Sequence, residues 1–163
     1  MDLLDKLSRL LSYALLWLAG LMLAAMTVIT CLNVFLRMFG YPLNGTFELM
    51  GLFGAIVTAF ALGYSQMTKK HIAIDIVVGR FGNRTKKMLN FINYLLSAIF
   101  FSIAAYHIAS WAGILMKTGE VTETLRIIFY PFAYGVALGC AVFALVFLNE
   151  SLKSVLKEQE TDI

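Results

Sequence analysis

The sequence predicts an all-α integral membrane protein with four transmembrane helices, and three observations carry that prediction. Of the 163 residues 60% are hydrophobic and only 14% charged, with a mean hydropathy of +0.80. Charge is absent from four long runs, Leu10–Leu36, Leu49–Thr68, Met88–Met116 and Ile127–Asn149. Each reaches the roughly 20 residues that a helix needs to cross a hydrocarbon core of about 30 Å. Buried helices of a water-soluble bundle would keep polar faces, and these runs have none. The third observation is where Lys and Arg fall.

Lys6 and Arg9 lie near the start, Lys153 and Lys157 near the end, and Lys69, Lys70, Arg80, Arg84, Lys86 and Lys87 in the middle loop. The other two links hold only Arg37, Lys117 and Arg126. Lys- and Arg-rich segments stay on the cytoplasmic side, so the expected topology is N-in/C-in with a cytoplasmic basic loop at 69–87. The net charge of +3 is explained by this arrangement and does not point to nucleic acid. The first run is too long for the apolar core of a signal peptide and reads as a retained span. The chain is read as a single membrane domain, residues 1–163, with spans at about 10–36, 49–68, 88–116 and 127–149.

In chain order, Leu3, Leu4, Leu7, Leu10 and Leu11 form an amphipathic lead-in, either continuous with span one or lying in the interface. Trp17 sits too deep for an aromatic belt and is assigned a packing role. After Arg37, Gly40, Pro42 and Asn44-Gly45 mark a turn, and Asn44 or Thr46 is suited to cap span two. Glu48 falls in the first turn of that helix, where the helix dipole favours an anion. Gly51, Ala55, Ala59 and Gly63 recur every four residues, a small-residue stripe that lets another helix approach closely. In the basic loop, Ile74, Val77, Val78 and Phe81 have the spacing of a short interfacial helix, while Ile72, Ile74 and Ile76 alternate as in a strand; the membrane context favours the helix. Span three carries Asn90, Asn93, Ser97, Ser102, His107 and Ser110 and is the most polar. Span four opens with Pro131 in its first turn, carries the Gly135/Gly139 GxxxG pair, and continues as an amphipathic rod past Asn149. Spans one and three, at about 40 Å, must tilt or protrude.

Chemistry is sparse. His107 is the one basic or acidic side chain inside the spans. Proton relays and substrate counter-charges need such groups facing a cavity, so this chain alone is not expected to drive coupled transport; sodium, which carbonyls and hydroxyls also bind, is less firmly excluded. A haem held by His71 and His107 would need both at one depth, and they fall at different depths. His107 is therefore read as a hydrogen-bonding residue between helices. Cys31 and Cys140 also differ in depth and read as apolar packing residues rather than a disulfide. Arg37 and Glu48 flank the outer link and either pair or stand as solvated helix ends. His71 and Asp75, four residues apart, form a candidate loop-fixing pair. No Gly-rich phosphate loop, CxxC, HExxH or Ser-His-Asp set occurs, so no cofactor, metal or enzymatic activity is expected.

Taken together, Asn33-Val-Phe-Leu-Arg37-Met-Phe-Gly40, the Glu48-Leu49 opening of span two and His71-Ile-Ala-Ile-Asp75 resemble the small membrane subunit (Q subunit) of TRAP, or tripartite ATP-independent periplasmic, transporters. The likeness spans nearly the whole chain, while its sharp motifs fill about a tenth. The link TETLRIIFYP, with its proline at 131, and the Gly45-Thr46-Phe47 lead-in to Glu48 depart from the family pattern. The resemblance implies a scaffold subunit in the cytoplasmic (inner) membrane of a bacterium or archaeon. Its partners would be lipid, a large many-span subunit holding substrate and sodium sites, and a periplasmic binding protein that delivers an organic acid. Asn33, Arg37, Glu48, His71 and Asp75 become candidate structural or partner contacts. A self-sufficient homo-oligomeric channel or carrier is the alternative that the GxxxG pair and four-span size leave open.

Overall fold

In the computed structural model the described residues are 2–68 and 83–159, with side chains placed over 6–68, 88–89 and 91–152. They form α1 (Asp2–Met38), α2 (Thr46–Met67), α3 (Asn83–Thr118) and α4 (Tyr130–Gln159). All four are long and apolar enough to cross a membrane. Residues 69–82, which contain His71, Asp75 and the expected interfacial helix, lie outside the described residues.

The lead-in and the first span are one helix, since α1 begins at Asp2. α4 begins at Tyr130 rather than near 127, because Ile128 is held in an antiparallel bridge to Val121 and the Phe129 N–H donates to the Glu120 carbonyl at 3.3 Å. Pro131 then sits in the first turn, where its missing N–H breaks no helical bond. Three threonine hydroxyls inside the first two spans are satisfied within their own helices. Thr27, Thr30 and Thr58 donate to the carbonyls of Leu23, Met26 and Gly54 at 3.0, 2.8 and 2.8 Å.

The helices run up and down, which defines two ends. The basic end holds the start of α1, the end of α2, the start of α3 and the end of α4; the link end holds the connections 39–45 and 119–129. α4 is the hub: it packs along α3 and α2 and touches α1 near the basic end, where the Asn149 amide donates to Ser8 Oγ at 3.4 Å. Half of the span in α4 is buried, against 11% of the spans in α1 and α3. One core joins Leu15, Ala19, Ile56, Ala59, Phe60 and Val142 of α1, α2 and α4. A second stacks aromatic rings between α3 and α4, with Phe101 edge-on to Phe143 at 4.4 Å and Phe143 4.7 Å from Phe147.

Two side chains depart from expectation. Trp17 does not pack within the chain but stands 80% exposed on α1. α1 turns Ser8, Ser12, Leu15 and Ala19 inward and leaves Leu10, Trp17 and Leu21 outside. Lipid solvates large apolar side chains as well as the protein does, so close backbone approach rather than apolar burial selects the inner face. His107 likewise is exposed on α3 and contacts the ring of adjacent Tyr106, at 5.7 Å, rather than another helix.

Candidate partner-contact site

At the link end the sequence-predicted residues Asn33 and Glu48 belong to one clasp. Asn33 Oδ1 accepts from the Leu43 N–H at 2.9 Å, tying the end of α1 to the following turn. Gly45, not Asn44 or Thr46, is the N-cap of α2, with φ 81° and no side-chain cap bond. Glycine is required here twice: the backbone is left-handed, and a side chain would run into Leu125. The Thr46 hydroxyl instead donates backward to the Leu43 carbonyl at 2.8 Å. Glu48 reaches across to the other link. Its Oε1 accepts from the Thr124 N–H at 2.7 Å and its Oε2 from the Leu125 N–H at 3.1 Å. Both carboxylate oxygens are thus engaged by consecutive amides in charge-assisted bonds.

That receiving link is itself ordered around Thr122, which is buried. The Thr122 N–H donates to the Ile127 carbonyl at 2.9 Å, and the Ile127 N–H donates to Thr122 Oγ1 at 3.1 Å. The Arg126 N–H closes on the Thr122 carbonyl at 3.2 Å, with Arg126 at φ 52°. Arg37 stands exposed in the last turn of α1, and Glu48 is committed to the amides rather than to it. Sequence reasoning missed Thr122, Thr124 and Leu125; the polar character of TETLR is the one trace they leave.

The small-residue stripe of α2 divides. At its basic-end half, a methyl group added to Gly139 of α4 would lie 2.8 Å from Ala59 Cβ and 2.9 Å from Ala59 backbone C and O. Gly63 faces Ser12 of α1 and Val142 of α4, and Gly135 faces Ile56. At the link-end half, Gly51 has nothing within 4 Å of where a Cβ would sit. Gly51 and Ala55 border instead an apolar groove of about 350 Å³ floored by Phe132 and Ala133 of α4 and walled by Ile108 and Trp111 of α3.

At the basic end a polar cleft of about 220 Å³ is bounded by Ser8, Arg9, Tyr13, Tyr64, Asn149 and Glu150, with the Tyr13 and Tyr64 rings edge to face at 5.3 Å. Among the described residues no group of three or more His, Cys, Asp and Glu side chains is placed to hold a metal ion. Cys31 and Cys140 are both free thiols.

Four helices long and apolar enough to cross a membrane, with the first two and the last two joined by short structured links, define a small multi-pass membrane protein. Within that class the chain belongs to the DctQ component family of the tripartite ATP-independent periplasmic transporters, whose family model matches residues 26–157. The match takes in Asn33, Arg37, Glu48 and both links. No curated protein and no solved structure matches the chain. The protein is therefore a transporter component.

Proposed function

We infer that this chain is the static accessory subunit of a sodium-driven, binding-protein-dependent uptake system for an organic acid. On this reading it anchors a large many-span subunit in the cytoplasmic membrane, with both termini and the loop 69–87 inside. The large subunit carries the substrate and sodium sites, and a periplasmic binding protein delivers the carboxylate. The whole chain, 1–163, acts as one membrane domain. Asn33, Arg37 and Glu48 shape its outer end, while His71 and Asp75 stand as contacts at its inner end.

The observation that carries the scaffold role is the placement of the one basic side chain deep in the described spans. His107 faces away from the helical core instead of into a cavity between helices. The described core is built mainly from small, apolar and aromatic side chains, and its buried polar residues between the helices, Ser8, Ser12, Gln66 and Ser151, are uncharged and lie toward the basic end. Coupled carriers keep ionisable or substrate-coordinating groups inside, at the membrane midplane. The family match supports membership of a tripartite periplasmic transporter; the organic-acid cargo and the sodium coupling are part of the proposal and rest on the resemblance of Asn33–Gly40.

Affinity purification of the tagged chain from its native membrane, followed by reconstitution, tests this. The expected result is co-elution with a large membrane subunit, and sodium-dependent organic-acid uptake only when that subunit and the binding protein are present. Uptake by the chain alone in liposomes would favour the self-sufficient carrier and overturn the scaffold role.

A further inference from the structure

Polar side chains deep in a membrane span need a partner, and α3 exposes several. Ser102, Tyr106, His107 and Ser110 all stand exposed, with Trp111 beside them. Among the described residues, none of them hydrogen-bonds to another part of the chain. Thr27, Thr30 and Thr58 of α1 and α2, by contrast, are satisfied by their own helices. The apolar span of α3 runs from Phe91 to Thr118. At 1.5 Å per residue, His107 lies about 16 Å from one end and about 24 Å from the other, too deep for its ring to reach water along its own helix. Toward the basic end the exposed residues of α3 are Leu96, Ile99, Phe100 and Ile103, which acyl chains solvate. Tyr106, His107 and Ser110 lie in the half nearer the links, with Ser102 just past the middle of the span.

We propose that this half of α3, centred on His107, is the docking face for a transmembrane helix of the large subunit that presents a hydrogen-bonding side chain at the depth of His107. The proposal rests on the accessory-subunit reading above. Acyl chains offer no donor or acceptor to the His107 ring, so lipid leaves it unsatisfied, whereas Ser102 and Ser110 can turn to carbonyls of their own helix. A second copy of the chain is disfavoured by charge. Neighbouring copies share one orientation, and a two-fold axis along the membrane normal sets each residue of the face against itself at equal depth. Lys117, exposed on the same helix, would then meet Lys117. A different helix, with an acceptor near Lys117 and a polar group one to three turns deeper, meets every requirement of the face.

The test uses the complete transporter in its membrane. With p-benzoylphenylalanine at position 107, irradiation is expected to yield an adduct with the large subunit. His107→Leu is expected to weaken co-purification of that subunit about threefold to twentyfold, and His107→Gln, which keeps donor and acceptor, to restore most of it. The isolated chain is expected to melt as wild type in both variants, since His107 touches no other helix. An adduct with lipid alone or with a second copy, or unchanged co-purification of His107→Leu, overturns the proposal while leaving the accessory role standing. A wild-type chain that purifies without a large subunit overturns both.

Discussion

Ala59 and Gly63 occupy the basic-end half of the α2 stripe, and Gly51 and Ala55 the link-end half, at the same four-residue step and with the same small side chains. Their surroundings differ completely. At Ala59 and Gly63 the stripe is filled, by Gly139 and Val142 of α4 and by Ser12 of α1; the Ala59–Gly139 crossing leaves no room for another carbon, and at Gly63 one would crowd Ser12 Oγ at 3.2 Å. At Gly51 a new side chain would meet nothing, and Ala55 borders the open groove. The partner residues explain the split. Small meets small where Ala59 crosses Gly139, whereas one turn away Ile56 faces Gly135 and then Phe53 faces Phe132 at 6.1 Å. Bulk between α2 and α4 holds the link-end half apart. A four-residue stripe therefore marks where a helix is able to approach, and the bulk of the opposing residues decides whether one does.

The comparison breaks most directly at Gly139. Gly139→Ala places a methyl group against Ala59 backbone atoms, which cannot rotate away, so α2 and α4 must separate. The expected loss is about 1–3 kcal/mol in a detergent unfolding titration, the usual cost of overpacking a tight contact. A variant as stable as wild type would mean that this crossing is not the tight point of the fold.

The clasp gives the next effects, because it holds the link-end half in place without helix-to-helix contact. Gly45→Ala must adopt φ near 81° and displace Leu125, and is expected to cost about 1–2 kcal/mol. Glu48→Ala frees the Thr124 and Leu125 amides, and its expected signature is local. Amide hydrogen exchange should rise across 119–129 while α2 and α4 near Ala59 keep their protection. Protection lost equally along the whole of α4 would show that the clasp supports the entire bundle. Glu48→Gln, which keeps one acceptor oxygen, should fall between wild type and Glu48→Ala.

Much of this was legible beforehand. Charge-free runs located four helices, and the stripe and GxxxG spacing picked out Ala59, Gly63, Gly135 and Gly139, which do meet other helices at close range. What the sequence hid has physical causes. No local pattern says which face of a span turns toward its own chain, so the sequence assigns Trp17 to packing and His107 to an interhelical bond, whereas within this chain both stand outward. The clasp joins positions 76 and 77 apart, and no local pattern reports that a carboxylate will find two backbone amides in another loop. The αL cap at Gly45 was masked by two better side-chain cappers on either side of it. Asn33 and Glu48 stood out from the resemblance, yet their bonds run to main-chain N–H groups, which no side-chain motif reveals.

Gly51→Ala is the smallest expected effect and the sharpest reading of the split. In the isolated chain the added methyl meets open space, and an α-helix interior prefers Ala to Gly by about 0.8–1 kcal/mol. The chain alone should therefore be unchanged or slightly more stable, the opposite sign to Gly139→Ala at a residue of the same type. In the assembled transporter the two halves would differ again only if something lies in the groove. Comparing Gly51→Ala with Gly51→Leu separates these cases: in the isolated chain both should fold, while in the complex only a groove filled by protein would tolerate Ala and reject Leu. Equal co-purification of the large subunit with both variants would show that the groove is lined by lipid, and that the link-end half of the stripe serves no helix.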